Sequence, residues 1–535
     1  MANFTGTFSL IFCCIRFIHA DSIESCFIQY LMIFYTMTNG LIKKVSSWFK
    51  KSQKNTPEHD VQHHRSNIDN FFKEDNSPAK KDEQPRSNRK PSHQRQNRSA
   101  PSVKFKSDVL VQVERNDHSI SRKDLSPNAL KVLHRLQSSG YDAYLVGGCV
   151  RDVLLNLHPK DFDVVTNATP EQVHELFSNS RIIGRRFKLI HVTFGREMIE
   201  VATFRANHAE DNSNNQSSRS SQGMLLRDNV YGNIDDDALR RDFTINAMYY
   251  TSKGFVIRAL PQGLEDLKNK QIRMIGDPAT RYREDPVRMI RAIRFAVKLG
   301  FEIEPGTAAP IREHAELMEN IPPARLFDES LKLVLSGKGV ATFEMLLKYD
   351  LFKTLYPQAQ KHLDNDPQGF NLAFFTQALK NTDTRINSGK TITPAFILAV
   401  FLWPELLKVQ QYFIDQGVPA VPAMHQASQK VLTQQAKSAS IPKRFSFTMR
   451  DIWDLQMRLP RRFGKRADQI LEHQKFRAGF DFVLLREQSG EDLNGLGAWW
   501  QEYQFADSER KQQMSKALDK DKKKRPHRKG KPKSQ

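Results

Sequence analysis

The chain has 535 residues, 39% of them hydrophobic and 26% charged, and its 81 Lys and Arg outnumber 60 Asp and Glu to give a formal charge of +21. This length exceeds what one compact core supports, so we expect about two to four domains. The positive charge favours a polyanionic partner, either nucleic acid or an anionic membrane. Four cysteines without a C-x-x-C pair exclude a disulfide scaffold, disfavour structural zinc and fit a reducing, cytoplasmic setting.

Residues 1–36 form a doubtful extension that matches neither a membrane anchor nor a complete signal peptide. Arg16, Asp21 and Glu24 interrupt its apolar stretch, so no run approaches the roughly 20 apolar residues of a spanning helix. No Lys or Arg precedes that stretch, as a secretory signal requires. Translated upstream sequence with the working start at Met37 is the simpler interpretation. A membrane-anchored protein is an alternative that rests on these residues alone.

Two basic arms are predicted to flank the folded part. From residue 52 onward Asn, Ser, Gln, Lys, Arg, His and Pro dominate, and this composition cannot bury enough surface to offset the entropy of ordering. Residues 37–124 are therefore predicted to be a disordered basic arm, and 506–535 a second basic tail. Such a charge block is usually only solvated, but beside a nucleic-acid enzyme it can grip RNA.

Between the arms, the hydrophobic pattern predicts an α/β head followed by a long all-helical region. Strands and helices alternate over 125–258, which indicates a mixed sheet covered by helices. Helical patterning then dominates. We divide it into a helical neck over 259–340 and a helical body over 341–505.

A glycine pair marks the first strand-to-helix turn of the predicted head. Ala143–Val146 is typical of a buried strand, Gly147 and Gly148 follow it, and 149–157 has helical spacing. Backbone N–H groups at such a turn can approach a phosphate near the positive end of a helix. By itself this pattern more often indicates only a tight turn.

Two aspartates, Asp161 and Asp163, lie on one face of the next predicted strand, 160–165, because side chains alternate along a strand. Adjacent carboxylates repel each other unless a cation bridges them. Mg²⁺ takes oxygen ligands, and paired carboxylates can hold two ions roughly 3.5–4 Å apart. A solvated pair of surface acids is the simpler alternative.

Glu200 is the only acid inside another predicted strand, 198–204. A carboxylate within an apolar strand needs a partner, because unpaired burial is unfavourable. That partner is either a salt bridge to Arg205 or Arg186, or a metal shared with the two aspartates. A glycine turn, paired aspartates and a third strand carboxylate together favour metal-assisted nucleotidyl transfer.

A flexible loop is predicted over 205–229, and 237–250 then shows helical spacing. That spacing puts Asp242 and Asn246 on one helix face, with Arg241 placed to meet a triphosphate. The structural alternative is that Arg241 merely pairs with Asp242.

The next helix is predicted to begin after Asp285 as its N-cap and to end at Gly300. It carries a basic stripe, which is normally a solvated face: Arg288, Arg291, Arg294 and Lys298. His191, in an earlier predicted strand, is expected to be a hydrogen-bonded core residue.

Four ordered motifs resemble the polymerase-β-type nucleotidyltransferases, in the branch of CCA-adding enzymes and bacterial poly(A) polymerases. They are LVGGCVRD at 145–152, DFD at 161–163, RRDFTINA at 240–247 and EDPVR at 284–288. A further run, IIGRRFKLIHV at 182–192, is similar to the segment that marks the poly(A) polymerases within that branch. The resemblance is strong over 125–340 and weaker over 450–487.

This resemblance implies template-independent transfer of AMP from ATP to RNA 3′ ends, with release of pyrophosphate. It implies that Asp161, Asp163 and Glu200 are the catalytic carboxylates and hold two Mg²⁺ ions. The implied ATP-binding residues are Gly147, Gly148, Arg151, Asp152, Arg241, Asp242, Asn246, Asp285, Arg288, Arg291 and Arg294. Within that set, a carboxylate beside a guanidinium, Asp285 and Arg288, can address the edge of adenine.

Two further functional alternatives stay open. A CCA-adding enzyme would share the whole head, although the signature at 184–187 and the basic tail argue against it. A catalytically inactive RNA-binding protein is disfavoured because all three carboxylates are present. We expect a monomeric cytoplasmic enzyme that promotes RNA decay, with RNA-decay proteins as candidate partners and no stable membrane insertion.

Overall fold

The computed structural model describes residues 109–184, 188–206, 217–219, 225–228 and 231–524. Side chains are described for all of these except 217–219, 225–228 and 519–524. The predicted extension at 1–36, the predicted arm up to residue 108 and most of the predicted loop at 205–229 lie outside the described residues. The described residues belong to one compact unit, 100–535.

The head is built on an eight-stranded mixed sheet. Its strands are β1 (Val111–Val113), β2 (Ala143–Val146), β3 (Asp163–Thr166), β4 (Ser180–Ile183), β5 (Leu189–Phe194), β6 (Glu197–Thr203), β9 (Met248–Thr251) and β10 (Val256–Ala259). Two short strands outside it, β7 (Ser217–Arg219) and β8 (Leu225–Asp228), pair with each other. The spatial order in the large sheet is β1-β10-β9-β2-β3-β6-β5-β4. Only β3 and β6 run parallel among its neighbouring pairs.

Four helices accompany this sheet: α1 (Pro127–Ser138), α2 (Gly148–Leu154), α3 (Pro170–Leu176) and α4 (Ile234–Leu239). The first shows why such a segment becomes helical. The Ser126 side chain caps α1, Pro127 occupies its first position, and one apolar face is fully buried. The predicted mixed α/β head is confirmed.

The head begins earlier than predicted. Val111–Val113 pairs with β10 at the sheet edge, and the side chains of Ile120 and Leu125 are buried in the core. The arm was predicted to extend to residue 124 because these apolar residues are too widely spaced to show periodicity. Sheet pairing and burial order them instead.

The neck is helical apart from one small parallel pair, β11 (Gln271–Ile272) and β12 (Glu302–Ile303). Its helices are α5 (Gly263–Lys268), α6 (Pro278–Glu284), α7 (Val287–Leu299), α8 (Pro305–His314) and α9 (Pro323–Val334). Gly300 ends α7 in the left-handed conformation, as predicted.

The body is entirely helical over its described residues. Its helices are α10 (Gly339–Lys348), α11 (Phe352–Leu355), α12 (Pro357–Asp364), α13 (Phe370–Asn387), α14 (Pro394–Asp415), α15 (Ala420–Gln435), α16 (Lys443–Arg458), α17 (Lys465–Leu471), α18 (Phe476–Gln488) and α19 (Leu496–Tyr503). A last helix, α20 (Ser508–Lys524), occupies the start of the predicted basic tail, and Met514 packs from it into the core.

Within the described residues, α14 alone is long and apolar enough to cross a membrane by length and composition. More than half of its most apolar window is buried inside the protein, against neighbours that include α15 and α16. Burial of its apolar face by other helices is what a core helix of the body requires.

Candidate active site

Two of the predicted catalytic acids occupy neighbouring positions in the sheet. Asp163 begins β3 and is the direct register partner of Glu200 on the parallel strand β6. Asp161 stands two residues earlier, just before the strand. Both aspartates are exposed, and neither forms an ion pair with a described residue. The sheet therefore places Asp163 beside Glu200, with Asp161 two residues earlier, and the described residues supply no paired cation to either aspartate.

The electrostatics of Asp163 reflect this crowding. The pKa of its carboxyl is raised to about 6, chiefly by desolvation and then by the negative charge of Glu200. Arg241 acts in the opposite direction, and Asp161 adds a smaller repulsion. Solvent still reaches the Asp163 side chain, so its partial desolvation comes from the protein atoms that surround it. A bound cation would relieve the repulsion.

Among the described residues, Glu200 faces a histidine. The Nε2 atom of His191 lies 3.6 Å from Glu200 Oε2, and the two residues are register partners on β5 and β6. The prediction that His191 is a core residue is wrong, because its side chain is only part-buried beside this carboxylate. Of the two predicted arginine partners, Arg186 lies outside the described residues.

The glycine turn after β2 lies beside these acids. Val146, the last residue of β2, is the register partner of Asp163. Gly147 has φ +74°, a conformation that residues with a side chain rarely adopt, and its N–H donates to the Met248 carbonyl on β9. A Cβ atom there would lie 3.5 Å from Arg241 Nη1. The turn thus brings backbone atoms that carry no side chain close to the Arg241 guanidinium.

Arg151 and Asp152 are buried instead of facing this opening. The Arg151 guanidinium donates to Asp152 Oδ1 at 2.5 and 2.8 Å and to Asn246 Oδ1 at 2.5 Å. With 2% of its surface exposed, Arg151 cannot meet a triphosphate directly in this conformation. It instead links α2 to the turn that carries Asn246.

The predicted helix over 237–250 is wrong. Helix α4 ends at Leu239, a single 3-10 turn spans Thr244–Asn246, and strand β9 follows at once. Pairing of Met248–Thr251 with β2 and β10 overrides the local helical spacing. Sheet pairing of an aromatic segment here outweighs its helix periodicity.

Arg241 is held by residues other than its predicted partner Asp242. Asp237 Oδ2 accepts hydrogen bonds from Arg241 Nε and Nη2 at 3.0 and 2.9 Å. The Tyr249 hydroxyl accepts from the same Nε and donates to Asp237. Burial acts to raise the pKa of the Asp237 carboxyl, but Arg241 and Arg240 hold it at about 2. Arg241 Nη1 is left to point towards the glycine turn.

Asp242 and Asn246 meet, although not on a helix. Asn246 Nδ2 donates to Asp242 Oδ1 at 3.1 Å across the 3-10 turn. The other Asp242 oxygen binds Arg291 of α7. Asp242 therefore connects the head to the neck.

The basic stripe of α7 is not a solvated face. Each of its cations has a carboxylate partner within the described residues: Arg288 with Glu284, Arg291 with Asp242, Arg294 with Glu329, and Lys298 with Asp152. The expectation failed because α7 is packed between the head and α9, with its apolar residues buried on all other sides.

Asp285 and Arg288, the predicted base-recognition pair, are both fixed from the neck. Arg325 at the start of α9 binds Asp285 Oδ2 at 2.8 Å. Arg288 Nη1 donates to the Arg281 carbonyl at 2.8 Å and to Glu284. The two side chains are therefore held by protein partners at the head–neck junction.

Four residues of this network escaped sequence reasoning: Asp237, Tyr249, Arg281 and Arg325. Arg281 Nη2 donates to the carbonyls of Arg240 and Arg241 at 2.6 Å each and so fixes the backbone that carries the Arg241 side chain. Asp237 could have been found, because it stands four residues before Arg241. The other three carry no local signal.

A mixed sheet that presents grouped carboxylates beside a glycine turn, joined to a helical neck, defines a nucleotidyltransferase. Three family models match the chain. They are the Poly A polymerase head domain at 143–273, the Probable RNA and SrmB- binding site of polymerase A at 300–363, and the Polymerase A arginine-rich C-terminus at 416–534.

Known proteins agree with these matches. Poly(A) polymerase I of Salmonella typhimurium is 49% identical over 413 residues, covering 76% of this chain and 89% of that protein. A CCA-adding enzyme of Lactobacillus helveticus is 38% identical over only 230 residues, covering 43% of this chain and 55% of that protein. The crystal structure of a Bacillus stearothermophilus CCA-adding enzyme with CTP is 24% identical, with a TM-score of 0.47, and covers 74% and 84% of the two chains.

The chain belongs to the poly(A) polymerase I family. It is an RNA-binding transferase that adds adenylate to RNA 3′ ends without a template, as predicted, and the alternative of a CCA-adding enzyme is the more distant match.

Proposed function

We propose that polyadenylation takes place at the edge of the head sheet, between the carboxylates Asp161, Asp163 and Glu200 and the Gly147 turn. The observation that carries this assignment is the register pairing of Asp163 with Glu200, next to the end of β2. ATP is the nucleotide substrate, and the RNA 3′-hydroxyl is the acceptor.

The donor set of this site suits a divalent cation such as Mg²⁺. All three side chains offer hard oxygen ligands, and desolvation together with the charge of Glu200 raises the pKa of Asp163. No group of three acidic, His or Cys side chains among the described residues is arranged to hold a metal ion, and Glu200 faces His191. Asp161 and Asp163 would each hold Mg²⁺, with Glu200 completing the site at the acceptor end.

Two Mg²⁺ ions bound there would supply activation of the 3′-hydroxyl and neutralisation of the triphosphate charge. The side chains and backbone of the protein do the positioning. Gly147 and Gly148 let the chain approach the phosphates closely, because no Cβ stands in the way. Arg241, held by Asp237 and Tyr249, presents Nη1 beside the same turn.

Other predicted ATP-binding residues act indirectly, by positioning the glycine turn and Arg241. Arg151 and Asp152 fix Asn246 and α2, while Asp242 and Asn246 fix the turn that joins α7 to the head. Arg291 and Arg294 brace α7 by binding acids on neighbouring elements. We propose that these six residues position the nucleotide pocket.

Adenine selection is assigned to Asp285 and Arg288 at the neck. A carboxylate acceptor beside a guanidinium donor can pair with the edge of a purine. Arg325 and Glu284 hold these two side chains from the opposite side. A base pocket with fixed hydrogen-bonding groups selects the nucleotide without a template strand.

The helical body and basic tail are proposed to hold RNA mainly through its phosphates, which predicts weak sequence preference and strong salt dependence. We propose that the enzyme acts as a cytoplasmic monomer. We further propose that the added tail promotes RNA decay, since a single-stranded end gives an exonuclease a place to start.

Incubation with an RNA primer and each single NTP tests the nucleotide assignment. Long products from ATP alone support it, and short additions from CTP contradict it.

The Asp161→Ala/Asp163→Ala variant tests the carboxylate assignment. It should bind RNA normally and add no AMP, and undiminished tailing by this variant would refute the site.

A further inference from the structure

A second opening lies in the helical body, away from the carboxylates. It is a cavity of about 690 Å³ between α13, the start of α14 and α18. This volume falls within the roughly 300–1,000 Å³ of small-ligand and nucleotide sites. Residues 381–397 in its wall lie between the segments matched by the family models, which end at 363 and resume at 416.

The mouth of this cavity is cationic. Arg385, Lys475 and Arg477 line it against one carboxylate, Asp481. Asp481 is bound to Arg477 at 2.9 Å. Among the described residues, the Arg385 guanidinium makes one long hydrogen bond, 3.4 Å, to the Thr391 carbonyl. Lys475 forms no ion pair with any part of the chain that the structure describes. Two cations therefore remain for an anionic ligand.

The positive ends of two long helices also meet at this mouth. Thr393 and Lys475, the N-cap residues of α14 and α18, both line the cavity, and neither caps its helix through a side chain. The partial positive charge of a helix N-terminus is too weak to hold a ligand alone. Here it adds to the field of Arg385 and Lys475.

The remainder of the wall suits a nucleotide base. Phe396, Ile397 and Leu335 make part of the wall apolar, and Asn381 and Gln488 add amides to it. Asn381 Nδ2 donates to Gln488 Oε1 at 3.2 Å and thereby joins α13 to α18. A cationic mouth with a partly apolar wall combines phosphate contact with base burial, as in sites for single-stranded nucleic acid.

A series of contacts connects this cavity to the head. Lys298 reaches Asp152 in α2 at 3.6 Å, and Lys338 Nζ donates to the Lys298 carbonyl at 3.1 Å. Beside Lys338, the Gly337 carbonyl accepts from Asn387, which lies on α13 two residues after Arg385. These contacts link α2 of the head to α13 in the cavity wall.

We propose that this cavity binds a nucleotide of the single-stranded RNA substrate upstream of its reacting 3′ end. One phosphate lies between Arg385 and Lys475, and the attached base enters over Phe396. The proposal rests on RNA being the substrate. It does not depend on the assignment of the metal-binding carboxylates.

The test compares two full-length variants of equal charge. Arg385→Ala/Lys475→Ala removes the two available cations, and Lys123→Ala/Lys253→Ala removes two exposed cations of the head, outside the body that is proposed to hold RNA. Affinity for an oligoadenylate of about 20 nucleotides is measured over a range of salt concentrations. Losing the contact with this one phosphate should weaken binding about tenfold at low salt and reduce the salt slope by about 0.7. The control should keep the parental slope.

A cross-link locates the contact directly. RNA carrying one internal 4-thiouridine should cross-link to 381–397 or 474–488, and mass spectrometry identifies the peptide. Arg385→Gln/Lys475→Gln serves if the alanine variant unfolds. The proposal is overturned if the cavity variant binds RNA as the control does. It is also overturned if cross-links are found only elsewhere, even if the cavity binds another ligand. Failure of the carboxylate assignment would instead leave RNA binding intact.

Discussion

Arg291 in α7 binds Asp242, 49 residues earlier in the chain, through Nε at 2.7 Å and Nη2 at 2.5 Å. Burial acts to raise the pKa of Asp242, yet this guanidinium and Asn246 hold it at about 2. The pair is a charged connection between the head, just before its 3-10 turn at Thr244–Asn246, and the neck helix α7.

Replacing Arg291 by Ala should destabilise the protein by about 3 kcal/mol, because it leaves a buried carboxylate without its counter-ion. Chemical denaturation measures this loss. Arg291→Lys should recover part of it, since the charge remains while the double contact is lost. Asp242→Asn/Arg291→Ala should be less destabilised than the two single variants predict together. Strict additivity would show that the pair is not coupled.

Acid should weaken the ion pair between Arg241 and Asp237. The folded pKa of Asp237, about 2, lies below its ordinary value of 3.8. A depressed carboxyl contributes stability that is present above the unfolded pKa and is lost as the pH falls towards the folded one. We expect about 2 kcal/mol to be lost between about pH 4 and pH 2. Denaturation at several pH values measures it.

The Asp237→Asn variant is the comparison for that measurement. It should be less stable at neutral pH, and the fall in its stability between about pH 4 and pH 2 should be shallower. Parallel curves for the two proteins would exclude Asp237 as the source.

Gly147→Ala should cost about 1–3 kcal/mol, because its φ of +74° strains any residue with a Cβ atom. The new methyl group would also lie 3.5 Å from Arg241 Nη1, so the KM for ATP should rise. Gly148→Ala is the matched control for stability. Its φ is not in the left-handed region, and its Cβ would make an ordinary 3.6 Å contact with Arg151. Equal loss in both variants would rule out backbone strain.

Asp163→Asn should lower kcat by roughly 100- to 1,000-fold or more, because it removes a charge that stabilises the reacting groups. RNA affinity should stay within about twofold, since phosphate contacts elsewhere dominate binding. Primer extension at saturating ATP measures the rate, and a gel-shift assay measures binding. A variant that loses both equally would point to a folding defect.

Local sequence predicted the α/β class of the head and the candidate site residues that carry a local pattern. The alternation of Asp161 and Asp163, the lone acid Glu200 and the glycine pair each carry a local signal, and β2 has the predicted bounds. Gly300 likewise ends its helix where a left-handed residue is needed. These features depend on neighbours within a few residues, so the chain's pattern reveals them.

Long-range pairing decided the rest. Strand β9 replaced a predicted helix because it gains two sheet neighbours, β2 and β10. The basic stripe of α7 became a set of ion pairs because Asp152, Asp242 and Glu329, which come from elements far apart in sequence, meet it. Arg325 reaches Asp285 across 40 residues. Such contacts follow from how whole elements pack, and no short stretch of sequence encodes them.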